Sequence, residues 1–218
     1  MEEHSFKVEK TTRFFSSGGS GDSVKELWIV LHGYGQLPQF FLRKFSFLET
    51  ERRRIVAPEG LHRFYLQGTE GRVGASWMTK EARLDDIADQ AHHLDRLLEI
   101  QRELCPNIER IVLFGFSQGV STACRWMDHR LGADIDALIC WAGSFPPDID
   151  YNLRKEAFVG RPFHYFWGDN DPYLSEGKVD LMLTELGKRG IHPTPHPYKG
   201  EHSVDPEVLA KVWQDVVL

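Results

Sequence analysis

The sequence predicts an α/β domain in which a mostly parallel sheet is covered by helices on both faces. Three observations carry this. Short, continuous apolar runs recur along the chain and suit strands buried on both sides. Amphipathic stretches at helical spacing separate those runs. Glycine-, aspartate- and proline-rich segments follow the runs, at what would be strand carboxyl ends, where ligands bind in such sheets.

Taken in order, residues 6–15 alternate as a half-buried strand does, and SSGGSGDS (16–23) reads as a flexible hairpin connection to the next strand. That strand is Leu27-Trp28-Ile29-Val30-Leu31, and His32-Gly33-Tyr34-Gly35 follows it. The basic cluster Glu51-Arg52-Arg53-Arg54 reads as a solvated helix end, before a strand RIVAPE at 54–59. A helix is expected over 82–104, with Leu84, Ile87, Ala91, Leu94 and Leu98 as its apolar stripe and Cys105-Pro106-Asn107 as its stop. Further strands are expected at 110–116, 136–143, 162–168 and around 196–198. The last helix begins with Asp205 as cap and Pro206 in its first turn, turning Val208, Leu209, Val212 and Trp213 inward.

At 218 residues the chain suits one domain, residues 1–218, with no room for a large cap. A formal net charge of −6 gives no footprint for nucleic acid. No apolar segment is long enough to cross a bilayer, so no integral membrane segment is expected. The amino terminus MEEHSFKVEK lacks the apolar centre of a signal peptide. Cys105, Cys124 and Cys140 are odd in number and widely spaced, which predicts reduced thiols and a cytoplasmic protein.

The chemistry concentrates at Gly115-Phe116-Ser117-Gln118-Gly119, between an apolar strand and a helix containing Val120, Ala123 and Cys124. A strand–turn–helix with this G-x-S-x-G pattern presents its serine as a nucleophile, and the glycines keep the sharp turn free of collisions. A serine needs a base, and the base needs a carboxylate to orient it. In this fold class the order is serine, acid, histidine. The acid falls in Asp169-Asn170-Asp171-Pro172, after the strand at 162–168. Asp169 suits the turn, and Asp171 is directed by the proline that follows it. The base is His202 in Gly200-Glu201-His202-Ser203, just before the last helix. His92 and His93 are adjacent on a helix and point apart, and there is no H-E-x-x-H or cysteine pair, so neither a metal nor a cofactor is expected. Oxyanion donors are expected from the backbone N–H groups of Tyr34 and Gln118.

The order HGYG, GFSQG, GDNDP and GEH resembles the α/β-hydrolase superfamily, and within it the phospholipase/carboxylesterase family that includes acyl-protein thioesterases. The resemblance spans about residues 25–216. It implies the α/β-hydrolase fold, nucleophile Ser117, acid Asp171, base His202 and oxyanion donors at Tyr34 and Gln118. Gln36 stands where the family often has Asp. Residues 60–85 match only through Ser76-Trp77.

The expected activity is hydrolysis of carboxylic esters, including thioesters or lysophospholipid-type acyl esters, through an acyl-enzyme. The substrate is a small-molecule ester or acyl compound with an apolar group. Aromatic residues near the strand ends, with Trp77, Phe145 and Tyr173 foremost, are expected to bind it. The competing readings are an amide or peptide hydrolase with the same triad, and a non-catalytic binding protein that keeps the fold.

Overall fold

The computed structural model describes residues 1–216, with side chains described as far as Lys211. Nine strands are present among them: β1 Phe14–Gly18, β2 Glu26–Leu31, β3 Arg53–Pro58, β4 His62–Gln67, β5 Glu70–Ser76, β6 Arg110–Phe116, β7 Ala137–Trp141, β8 Phe163–Gly168 and β9 Thr194–Tyr198. The helices are α1 Pro38–Phe41, α2 Arg83–Leu104, α3 Gln118–His129, α4 Glu176–Lys188 and α5 Pro206–Val216, with a 3-10 segment at Leu42–Leu48 extending α1. Seven strands form one sheet in the order β1-β3-β2-β6-β7-β8-β9. Only β1 runs antiparallel in it. The remaining two, β4 and β5, form a separate antiparallel hairpin.

Strand parity explains why helices cover both faces. Successive side chains of a strand point to opposite sides. Phe114 and Phe116 of β6 meet Phe41 at 6.3 and 6.0 Å between ring centres, and Phe45 lies 4.9 Å from Phe114. Gly115, between them, faces the other way, and a methyl group there would sit 2.5 Å from the Gly119 carbonyl oxygen of α3. The α1 region therefore covers one face and α3 the other. Central strands β2, β6, β7 and β8 are buried almost throughout, as two covered faces require.

Four expectations need correction. The first strand is Phe14–Gly18, not 6–15, because its ladder with β3 runs from Phe14↔Pro58 to Gly18↔Arg54; one step earlier the Arg13 carbonyl accepts from the Glu59 N–H at 3.1 Å. The connection from β1 to β2 is consequently no hairpin, since β3 lies between them, and Ser16 and Ser17 belong to the strand. The run Glu51–Arg54 is a turn leading into β3 instead of a helix end. There Arg53 pairs with Glu26, and Arg54 Nε donates to Gln101 Oε1 at 2.8 Å. In α2 the buried side runs through Gln90, Ala91, Leu94, Leu97, Leu98 and Gln101, and Leu84 is exposed. In α5, Asp205 Oδ1 accepts from the N–H groups of Glu207 and Val208 at 2.8 and 3.2 Å, and Leu209 is buried. The side chains of Val212 and Trp213 lie outside those described.

His32, at the end of β2, anchors the loop that follows. Its Nδ1 lies 2.7 Å from the Gly33 carbonyl oxygen, and its Nε2 accepts from the Gly60 N–H at 3.0 Å. Both contacts require the neutral ring with the proton on Nδ1, because a second N–H would oppose that of Gly60. Burial pushes its pKa from 6.5 down to about 4, against the opposing pull of the Gly33 carbonyl and the Glu59 carboxylate. Between those values the unfolded chain binds a proton that the folded chain refuses. The residue's contribution is therefore complete above pH 6.5 and is lost as pH falls through about 4. Between pH 7 and 4.5, wild type should lose about 2 kcal/mol more stability than His32→Asn, measured by urea denaturation. Equal losses would rule this role out.

Candidate active site

The turn from β6 into α3 holds Ser117 at φ 53, ψ −117, outside the regions a side-chain-bearing residue ordinarily occupies. Its N–H donates to the Trp141 carbonyl of β7 at 2.9 Å. The neighbouring glycines make the turn possible. A methyl on Gly119 would lie 2.3 Å from the Leu31 carbonyl oxygen of β2, just as one on Gly115 would strike α3. The hydroxyl emerges at the carboxyl edge of the sheet.

Two later loops converge on it. His202 Nε2 is 2.9 Å from Ser117 Oγ, and His202 Nδ1 is 2.6 Å from Asp171 Oδ2. With an ionised carboxylate beside Nδ1, the neutral ring carries its proton there and leaves Nε2 to accept from the hydroxyl. The Asp171 side chain has no exposed surface. Its second oxygen accepts from the backbone N–H groups of Tyr173 and Leu174 at 2.8 and 3.2 Å. Asp169 faces elsewhere: its Oδ1 accepts from the Gly200 N–H at 3.0 Å, fastening the two loops together.

The backbone N–H of Gln118 opens α3, where the helix dipole favours negative charge. Across from it, the 33–36 loop is closed by Gln36, whose Oε1 accepts from the Gly33 N–H at 2.9 Å. Gln36 thus supplies a bond that holds the turn, in the position where the resembling family often has Asp. Tyr34, Gln118, Ser117 and His202 all border one cleft of about 460 Å³. The exposed Tyr34 ring leans on Phe64 of β4, 5.0 Å away.

Of the three aromatic residues expected at the substrate, the structure brings only Tyr173 to this cleft. Its ring stands edge-on to His202 at 4.7 Å. Trp77 is fully buried, with its indole N–H on the His32 carbonyl, and does not reach the cleft. Phe145 packs against Phe163 and Tyr165 and borders a different hollow with Leu181 and Met182. Both lie beside strand ends, but the core draws their rings inward.

Sequence reasoning missed Phe116, Ser121, Ser144 and Leu174, which line the cleft. Two of them had a signal. Phe116 precedes the serine and lies tilted against His202 with ring centres 5.0 Å apart, and Ser121 lies one helical turn beyond Ser117. A second, more apolar hollow of about 480 Å³ adjoins the cleft, sharing Gln36 and lined by Leu37, Phe40, Phe41, Leu66 and Val73 together with Lys44 and Arg72.

Four of the other histidines pair elsewhere. His129 contacts Asp95 at 3.0 Å, His62 contacts Asp86 at 3.0 Å, and His164 contacts His196 at 2.9 Å. Among the described residues, no group of three or more His, Cys, Asp or Glu is placed to hold a metal ion, and no helix is long and apolar enough to cross a membrane.

No curated protein sequence matches the chain. Solved structures do. Acyl-protein thioesterase 2 from Zea mays superposes with a TM-score of 0.73 at 18% identity, covering 94% of this chain and 98% of its own. Esterase PE8 superposes at 0.65 with 23% identity, covering 96% and 100%. The Bacillus cereus carboxylesterase superposes at 0.63 with 17% identity, covering 94% and 93%. At these identities the likeness establishes the α/β-hydrolase fold, and among the described residues no large cap domain covers the sheet. The family model for phospholipases and carboxylesterases matches residues 19–216, nearly the whole chain. The protein therefore belongs to the phospholipase/carboxylesterase family of hydrolases, enzymes that act on ester bonds.

Proposed function

We propose that the protein hydrolyses carboxylic esters, thioesters included, through an acyl-enzyme formed on Ser117. The observation that carries this reading is the continuous hydrogen-bonded line from Ser117 Oγ through His202 to Asp171, at 2.9 and 2.6 Å. His202 Nε2 takes the hydroxyl proton as Oγ attacks the substrate carbonyl. The carbonyl oxygen becomes an oxyanion and receives the N–H groups of Tyr34 and Gln118. Collapse of the adduct expels the alcohol or thiol, which takes the proton back from His202. Water then gives its proton to the same nitrogen as it attacks the acyl carbon, and collapse of this second adduct releases the carboxylic acid while Ser117 Oγ takes the proton back from His202. Throughout, Asp171 holds the ring orientation and stabilises the imidazolium without becoming protonated.

The substrate is a small-molecule ester with an apolar group. The adjoining hollow of about 480 Å³, lined mainly by leucine, valine and phenylalanine with Lys44 and Arg72 beside them, supports that class. The reaction needs no cofactor. Three free, buried cysteines support a reducing, cytoplasmic setting.

Ser117→Ala should lower kcat by about 10⁴- to 10⁶-fold with the fold retained, since only binding and oxyanion contacts survive. A fluorophosphonate should label wild type and not the variant. Equal labelling of both would reassign the nucleophile.

The two loop aspartates should behave differently. In Asp171→Asn the amide can still accept from Tyr173 and Leu174, so the loop should keep its shape. Its NH₂ would then face Nδ1 and favour the unproductive tautomer, lowering kcat by roughly 10⁴-fold. Asp169→Ala instead removes the bond to Gly200 and should cost about 1–2 kcal/mol of stability, with kcat reduced less than about tenfold. Turnover and urea midpoints of both variants decide the matter. A stable but inactive Asp169→Ala beside an active Asp171→Asn would exchange the roles.

A further inference from the structure

The oxyanion donors in the reading above come from two backbone segments far apart in sequence, the 33–36 loop and the first turn of α3. Trp77 joins them. Its indole N–H donates to the His32 carbonyl at 2.8 Å, at the root of the first segment. Its backbone N–H donates to the side-chain Oε1 of Gln118 at 3.1 Å, at the start of the second. The residues beside it strengthen both links. Ser76 Oγ and the Met78 carbonyl accept from Gln118 Nε2 at 3.1 and 2.9 Å. Ala75 exchanges backbone bonds with the first segment, Gly35 N–H to its carbonyl at 2.8 Å and its own N–H to Gln36 at 3.1 Å.

Resting on the hydrolase reading, we propose that Trp77 is a positioning residue for the oxyanion hole, fixing the spacing between the Tyr34 and Gln118 N–H groups together with the Gln118 side-chain amide. The Gln118 amide has all its bonds directed at residues 76–78, so it anchors the backbone that carries its own N–H. Trp77 lies outside the cleft and cannot contribute to substrate affinity by contact. The hole acts only when charge has developed on the carbonyl oxygen. Its geometry is demanding, because a displacement of about 1 Å can cost on the order of 100-fold in rate. Loosening the link should thus lower kcat and leave KM alone. A merely structural tryptophan would instead lower stability and leave the kcat of the folded fraction unchanged.

The test uses the full chain carrying Trp77→Phe, Gln118→Ala, or both. Trp77→Phe keeps an aromatic ring and removes the indole N–H. Gln118 is only half-buried, so Gln118→Ala carries the test should the first variant fold poorly. Three quantities are measured on folded protein: kcat and KM on p-nitrophenyl butyrate, the Ki of a trifluoromethyl ketone, and the urea midpoint. The ketone adds Ser117 reversibly and places an oxyanion in the hole. Each single variant should lose about 10- to 100-fold in kcat, with KM within about twofold. The ketone should weaken by the same factor as kcat/KM. The double variant should be little worse than the poorer single one, because both changes break one link. Unchanged kcat in folded Gln118→Ala, or lower kcat with undiminished ketone affinity, overturns the proposal while leaving the hydrolase reading intact. A wild type that neither hydrolyses the ester nor reacts at Ser117 overturns both.

Discussion

The structure depends on one tight passage, the turn that carries the chain from β6 into α3. Three parallel strands meet there. The Ser117 N–H is bound to Trp141 of β7, and Gly119 lies against the Leu31 carbonyl of β2 with no space for a side chain. Gly143 completes the enclosure, because a methyl on it would sit 2.3 Å from the Ser117 carbonyl oxygen. A strained backbone at such a site costs of order 1–3 kcal/mol. The burial of Val112, Leu113 and Phe114 on the same strand offsets that easily. The arrangement puts a serine hydroxyl at the edge of the sheet and an unobstructed helix N-terminus beside it.

What was legible in the sequence follows from how far each feature is determined locally. Strands β2, β6 and β8 are covered on both faces, so nearly every residue is apolar and the pattern has one interpretation. The edge is harder. Alternation over residues 6–15 says that the segment could be a strand, but pairing begins only where β3 offers a partner. The β4–β5 hairpin gave no signal because it stands apart from the main sheet and exposes much of both its faces. The meeting of Ser117 with His202 was legible because the turn pattern and the order of the loops both point to it. Trp77 and Phe145 were not, because an aromatic residue at a strand end can turn toward the cleft or the core, and only tertiary packing decides.

The other end of the sheet shows sequence closing a structure. Strand β9 is an edge strand paired only with β8, and it carries Pro195 and Pro197. In a parallel strand alternate N–H groups point away from the neighbour, and prolines at alternate positions remove donors that a further strand could use. The sheet therefore ends there, and the chain leaves as the loop bearing His202. That loop is not left to itself. Asp169 and Asn170 donate their backbone N–H groups to the carbonyls of Tyr198 and Gly200 at 2.9 Å, and the Trp141 indole N–H bonds the Ser203 carbonyl at 3.0 Å.

These contacts bear on the electrostatics of the site. A carboxylate with no exposed surface is costly unless its oxygens are satisfied. Asp171 meets that condition with three donors, two of them backbone N–H groups of its own loop and the third His202 Nδ1. The backbone donors aim the remaining lone pairs at the imidazole before any substrate arrives. In the proposed reaction His202 gains its proton with the compensating carboxylate already 2.6 Å away and shielded from water, so nothing needs to reorganise. The exposed surface of the site lies instead at Tyr34 and Tyr173, on opposite loops. The buried parts of the site are thus those that would carry charge in the proposed reaction, and its open parts are the tyrosines of two loops.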